Sequence, residues 1–518
     1  MINGSTLRKG FAPAASGGLQ RILSTRFVLT LMTLLLAVFG TSPAQTLTPL
    51  ANQPPDGIVL TFQLTDGTVM AQGDNGNDWW QLTPDITGSY VNGTWTQLAT
   101  LPSGYDPFDV ASAVLADGRL VIIGGEYNNG NFALTNLGAI YDPVANTWTT
   151  LAPPPGWNYI GDSPSLVLPN GKFVIGDKLT KQMAELDPKT LTWTALSSKG
   201  KSDFNAEEGW TLLPDGTILT ADVLHAPNSE IYSPTAQRWV SAGSTIVDLR
   251  SHTTDNRCLP YGDGDVLHCY NPPGEIGPQI LRPDGTVFVA GSWTKISSGF
   301  NVNAGNTSVY NTQTGTWTPG PVFPNGDNAG DSFAVLLTNG NVLVEGDTGI
   351  SYVFDGTNLT PGPLLTSQFF VESSLMVLPT GEVLVGSIGF GYGLTQTYTS
   401  SGTYQSSWAP TISSYPSTVT RGSTYSISGT QFNGLSQAAA FGDELQTATN
   451  YPLVRITNNV TQHVFYARTH DHSTMGVATG TATVSTNFDV PATMETGAST
   501  LVVVANGIPS AAVSVTVE

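Results

Sequence analysis

The sequence predicts an all-β chain: a seven-bladed β-propeller followed by a small β-sandwich of immunoglobulin type. Three observations carry that reading. A hairpin unit recurs seven times, aromatic residues mark its outer strands, and the rhythm changes near residue 410. The clearest unit runs from Asp109 to Gly125. There an apolar run, Val110 to Ala116, meets Asp117-Gly118, a dipeptide that suits the positive φ angles of a type I′ turn. A second run, Leu120 to Ile123, stops at Gly124-Gly125. Ala139 to Asp142 and Thr147-Trp148-Thr149 then complete four short strands in roughly fifty residues, the period of a kelch blade.

The hairpin dipeptides fall at Asp66-Gly67, Asp117-Gly118, Asn170-Gly171, Asp215-Gly216, Asp284-Gly285, Asn339-Gly340 and Thr380-Gly381. Trp95, Trp148, Trp193, Trp239, Trp317 and Trp408 close most units, and Tyr141, Tyr232 and Tyr310 hold one place in the third strand. Four-stranded sheets of this size cannot each bury both faces alone. Packed radially around an axis they can, and few edges stay open.

Residues 1–44 read as a signal peptide. Arg8, Lys9, Arg21 and Arg26 precede an apolar run, Phe27 to Gly40, that is short for a membrane span, and Ser42-Pro43-Ala44 offers small residues for cleavage. The expected location is therefore secreted or periplasmic, with no membrane attachment after cleavage. Without the leader the chain keeps 15 basic against 39 acidic residues, a net charge of −24. That balance disfavours nucleic acid and anionic lipid, which need a positive surface. The expected assembly is a monomer.

Cys258 and Cys269 lie in the longest insertion, between the fourth and fifth units, and in an oxidising compartment are expected to form one local disulfide. The kelch propeller is assigned to residues 45–409 and the immunoglobulin-like domain to residues 410–518. In the latter, Tyr425 to Gly429, Tyr451 to Ile456, Val464 to Arg468 and Leu501 to Ala505 form alternating or apolar runs between Gly and Asn turns.

Eight residues before each hairpin dipeptide stand Ile58, Asp109, Asp162, Glu207, Ile276, Asp331 and Glu372, five of them carboxylates in a chain with only 11% charged residues. If these positions begin the innermost strands, the carboxylates converge at one mouth of the channel. At about 7 Å, each pair repels by roughly 2 kcal/mol at an effective dielectric of 20. Such a ring needs a cation, an Arg or Lys, bound water or protonation, unless each carboxylate simply accepts backbone N–H groups from the next blade. Oxygen ligands favour Ca²⁺ or Mg²⁺ at the axis over copper. In the last domain, Arg468, His470 and His472 would project to one side of an extended strand, as a chelating pair or as a solvated strand end.

The recurring units, the trailing sandwich, Asn450 to Ile456 and Ala505 to Ala511 resemble the secreted copper-radical oxidases, the galactose oxidase and glyoxal oxidase family. The resemblance implies that the last domain sends a loop along the axis carrying a histidine, matched by His472. It also implies docking on the face where the inner strands begin, with Arg468 near the carboxylates. The family's other copper ligands, a tyrosine cross-linked to cysteine and an adjacent Tyr-His pair, have no match: Val371-Glu372 occupies the Tyr-His position. Copper is therefore not supported. The expected function is a binding protein for glycan or another extracellular polymer, with Asp109, Asp162, Glu207, Asp331, Glu372 and His472 as candidate metal ligands. Trp79, Trp157, Tyr159, Trp293, Phe390 and Tyr392 are candidate platforms for the polymer. The alternative is a carbohydrate or aldehyde oxidoreductase with an altered metal site.

Overall fold

The computed structural model describes residues 45–251, 258–260, 267–269, 276–292, 296–297, 300–301, 305–330, 332–366, 373–387, 393–441 and 447–518. The 1–44 leader, Asp331, Glu372, Trp293, Phe390 and Tyr392 lie outside them. Residues 45–518 make one compact unit. Among the described residues the regular structure is strand, apart from two 3₁₀ turns at Pro324–Gly326 and Ser406–Trp408, and no helix is long and apolar enough to cross a membrane.

Among the described residues seven antiparallel sheets follow one another, each built on four consecutive strands of the ring, the sixth carrying a fifth strand described below. Their innermost strands are Ile58–Gln63, Ala111–Val114, Ser165–Val167, Thr211–Leu212, Gln279–Leu281, Phe333–Leu336 and Leu375–Val377. These strands are buried on both faces, so they read as apolar runs rather than alternations. Each sheet is laced to the next by a hydrogen bond near the start of an inner strand. Gln72 Nε2 donates to Pro107 O (2.8 Å), Gly125 N to Gly161 O (2.9 Å) and Ala206 N to Lys178 O (2.8 Å). Ile276 N donates to Glu207 O (3.3 Å), Ala329 N to Gly291 O (3.2 Å) and Ser373 N to Glu345 Oε2 (2.6 Å). Ile58 N donates to Ser387 O (2.8 Å), which returns the seventh sheet to the first. The chain is a β-propeller.

The ring closes with a strand from the other end of the chain. Thr46–Pro49 is the outermost strand of the seventh sheet, with Thr46 opposite Thr399 and Pro49 opposite Gln396. Trp408 therefore does not close that sheet; it sits in the second 3₁₀ turn with its ring over Gly340. The other five tryptophans hold the expected outer strands. Tyr141, Tyr232 and Tyr310 each meet the tryptophan opposite, Trp148, Trp239 and Trp317, with ring centroids 5.0–5.2 Å apart.

All seven glycines of the hairpin dipeptides have positive φ, but the residue before each does not, so the turns are not type I′. Each is a type I turn closed by a glycine bulge: Gly67 N donates to Leu64 O (3.1 Å) and Leu64 N to Thr68 O (2.8 Å), and the pattern repeats at all seven hairpins. The cause is the side chain at the first position. In six of the seven hairpins an Asp or Asn oxygen accepts the N–H two residues on, as Asp66 Oδ1 does from Thr68 (3.0 Å).

Strands from Thr411–Ser414 to Val513–Val517, without Ala439–Phe441, form a nine-stranded sheet that curls around its own core, in which Ile427, Val454, Ile456, Phe488, Leu501 and Val503 are buried. Burial alternates along most of Leu453–Asn458, within the Tyr451 to Ile456 run read from the sequence, and along Val484–Asp489, which that reading did not include. This sheet rests on the hairpin ends of the propeller. Thr469 N donates to Thr65 O (3.0 Å), Arg468 Nη2 to Asp117 O (2.9 Å), His472 N to Ala116 O (3.1 Å) and Met475 N to Pro169 O (3.1 Å). Gly67 is required there, since a Cβ would stand 2.2 Å from the Tyr466 ring. The expected docking on the opposite face, where the inner strands begin, is thus corrected.

Candidate functional site

The face at which the inner strands begin, here the start face, carries the loops that enter each sheet and the loops that leave its second strand. Asp162 precedes the third inner strand and Glu207 the fourth, while Lys178 follows the second strand of the third sheet, Phe173–Gly176. Close approach of the third and fourth sheets brings the three together. At Gly176 a Cβ would lie 2.8 Å from the Asn205 side chain, so only glycine lets the loops meet. The Lys178 ammonium then pairs with both Asp162 Oδ2 and Glu207 Oε1.

Lysine is thus the counter-charge for these two carboxylates, in the place expected for a hard cation. Burial and the Glu207 charge push Asp162 well above the usual carboxylate range, against the pull of Lys178. Asp162 and Lys178 are nearly enclosed, whereas Glu207 keeps 15% of its side-chain surface. Asp109 is half-buried on the same face with φ +57°, and Glu126 adds to the negative potential at Asp162. Asp331 and Glu372 lie outside the described residues.

A second acidic cluster on the start face was missed from the sequence. Lys201 is buried with Asp203 (2.8 Å), Glu208 (2.9 Å) and Glu230 (3.0 Å) around its ammonium and the Trp239 ring 4.9 Å from it. Burial alone would lower Lys201; the three carboxylates reverse that and raise it. Asp222 stands beside them, bonded by Ser202 Oγ (2.5 Å) and pushed up to about 7 by burial and by Asp203. His225 follows on the surface. A signal existed: an Asp follows the second strand by one or two residues at Asp74, Asp177, Asp222 and Asp347, which places a carboxylate on this face each time. Asp177 is likewise pushed up to about 6 by burial.

The histidine segment is elsewhere. Val464–His470 is a strand, and Arg468 and His470 do share a side, both bonding Asp489 (3.1 and 3.2 Å). Asp471, at φ +53°, ends the strand and turns His472 away from them. The His472 ring is buried flat on Tyr451, its Nδ1 bonded to Thr486 Oγ1 (2.9 Å). Its backbone partner Ala116 lies seven residues down the inner strand from Asp109, about 23 Å of extended chain. His472 therefore cannot share an ion with the start-face carboxylates, and Arg468 does not neutralise them.

The axial segment comes from residues 438–441. Ala439–Phe441 adds an antiparallel strand to Phe333–Leu336, with Ala440 opposite Ala334. Leu212 N donates to Gln437 Oε1 (2.9 Å), and Thr447 Oγ1 to Leu375 O (3.2 Å) as the chain returns. Ala438, Ala439 and Ala440 are buried, small enough for the crowded axis, and residues 436–449 contain no histidine. The segment runs from the hairpin face toward the start face.

Of the candidate platforms, Trp79 is fully buried between Phe62 and Trp148, and Trp157 is buried as well. Tyr159, three residues before Asp162, is half-buried at the start face.

No protein-family model and no curated protein matches the chain. Among solved structures it is similar to a fungal alcohol oxidase of the AA5 family in complex with copper, at 15% identity over 92% of this chain and 99% of that one, with a TM-score of 0.49. It is also similar to the extracellular domain of a hybrid two-component system from B. thetaiotaomicron, at 13% identity over 82% and 51% of the two chains, TM-score 0.45. A third is a catalytically inactive virginiamycin B lyase from Staphylococcus aureus with quinupristin, at 9% identity over 68% and 97%, TM-score 0.43.

Proposed function

We propose that this β-propeller is an extracellular binding protein that takes a neutral, polyhydroxylated ligand, a glycan, at the start face. The observation that carries this reading is Lys178 held between Asp162 and Glu207. The lysine offsets part of the negative charge of the two carboxylates it bridges. The three groups offer both donors and acceptors at fixed positions, which is what vicinal hydroxyls bond to. Glu207 is the most exposed of the three, and half-buried Tyr159, three residues before Asp162, supplies an aromatic ring on the same face. The overall negative charge suits an uncharged polymer better than an anionic one.

The test is a panel of immobilised neutral oligosaccharides probed with the purified protein, followed by calorimetry on any hit. Binding weakened at least tenfold by Glu207→Gln, with the melting temperature held, supports the reading. A folded protein that binds no glycan, or a Glu207→Gln variant that binds unchanged, overturns it. Peroxide released from galactose or small aldehydes by copper-loaded protein would replace it with the oxidoreductase reading.

A further inference from the structure

We infer that the fourth sheet carries a site for one divalent transition-metal ion, formed by Asp203, Asp222 and His225. Each offers one ligand atom, and the three atoms lie within 4.8 Å of one another. Donors bound at about 2.0–2.2 Å to one such ion stand roughly 3–4 Å apart, so the three are close enough to converge on an ion by small side-chain rotations.

Donors around the cluster show which oxygen is left for an ion. Asp203 accepts from Lys201 Nζ (2.8 Å) and Leu224 N (3.0 Å). Glu208 accepts from Lys201 Nζ (2.9 Å) and Trp210 Nε1 (3.0 Å). Glu230 accepts from Lys201 Nζ (3.0 Å) and Ser202 N (2.8 Å). Asp222 accepts from Ser202 Oγ through Oδ2 (2.5 Å), while its Oδ1 is buried with no hydrogen-bond partner among the described residues. Asp222 is only 1% exposed, and a buried acceptor left unmatched is costly. Among the described residues Lys201 pairs with three of the four carboxylates and Asp222 has no ion pair, an imbalance that a doubly charged ion offsets.

The donor set selects the ion. Two carboxylate oxygens with one imidazole nitrogen suit Zn²⁺, Mn²⁺ or Co²⁺ better than Ca²⁺ or Mg²⁺, whose ligands are oxygen. Asp203 and Asp222 are buried and His225 is exposed, so an ion held by the three would be reachable from solvent. Its three ligands are distinct from Asp162, Lys178 and Glu207.

The experiment is titration of chelator-treated full-length protein with Zn²⁺ by calorimetry and with Co²⁺ by visible absorption. The expected result is one equivalent bound, weakened at least tenfold in Asp222→Asn and in His225→Ala, with Ca²⁺ at least tenfold weaker than Zn²⁺. His225 is exposed, so His225→Ala keeps the fold and isolates the ligand. No saturable binding, or equal binding by wild type and His225→Ala, overturns the site.

Discussion

His472 lies flat against Tyr451, with ring centroids 6.1 Å apart and planes 4° from parallel, where the terminal sheet meets the propeller. Thr486 Oγ1 donates to the His470 carbonyl (3.1 Å), so His472 Nδ1 carries the proton and Nε2 is left buried without a partner among the described residues. Burial, with a smaller contribution from His470, lowers His472 to about 3.

The pH dependence follows from that depression. The unfolded chain takes up the proton near 6.5 while the folded chain refuses it until about 3. Stability from this group is therefore complete above about pH 6.5 and falls as the pH drops, by up to about 1.4 kcal/mol per unit. Thermal melts between pH 7 and 4 should show this slope in the wild type and a flatter one in His472→Gln. Equal slopes would remove His472 from the account.

Removing residues 45–50 should open the seventh sheet and leave Gln396–Thr399 as a bare edge. The truncated protein should melt several degrees lower and aggregate sooner, as read by scanning fluorimetry and light scattering. An unchanged melt would mean that closure adds nothing to stability.

Trp239 is 2% exposed and touches Tyr232, Met183 and Lys201. Trp239→Ala should cost about 3–5 kcal/mol in denaturant unfolding. Trp95→Ala, at a half-exposed position, should cost distinctly less.

The backbone sets Cys258 opposite Cys269 in a short antiparallel pair. Opposed residues in such a pair stand about 4.5–5.5 Å apart at Cα, inside the range a disulfide spans. Thiol labelling of the unreduced, unfolded protein should find no free cysteine; two labelled thiols would refute the bond.

Much of the propeller was legible because its signals are local. A hairpin glycine, a Tyr–Trp cross-strand pair and a run of apolar residues each act within a few residues of their own position. The turn type was misread because an Asp-Gly pair suits two turns, and the Asp side chain selects between them by capping the N–H two residues on. The candidate site was legible only in part. Asp162 and Glu207 do come together, but their partner Lys178 arrives from another strand through the closeness of two sheets, which no spacing encodes. His472 was misplaced because alternation was extended through Asp471, where the backbone leaves the strand. Ala438-Ala439-Ala440 has no periodicity to announce an axial strand; its buried place follows from small size in a narrow channel.

The pairing of Thr46 with Thr399 also imposes an order on assembly. Its two strands are separated by roughly 350 residues, and bringing such distant ends together costs about 5 kcal/mol of chain entropy. During synthesis the earliest strand of the ring must wait, unpaired, until its neighbour has been made. The segment that fills the channel, Ala439–Phe441, is made later still. The ring must then either close around that segment or admit it from the hairpin side. The last steps of folding in this protein are topological ones, and they involve the two stretches of chain least visible as structure in the sequence.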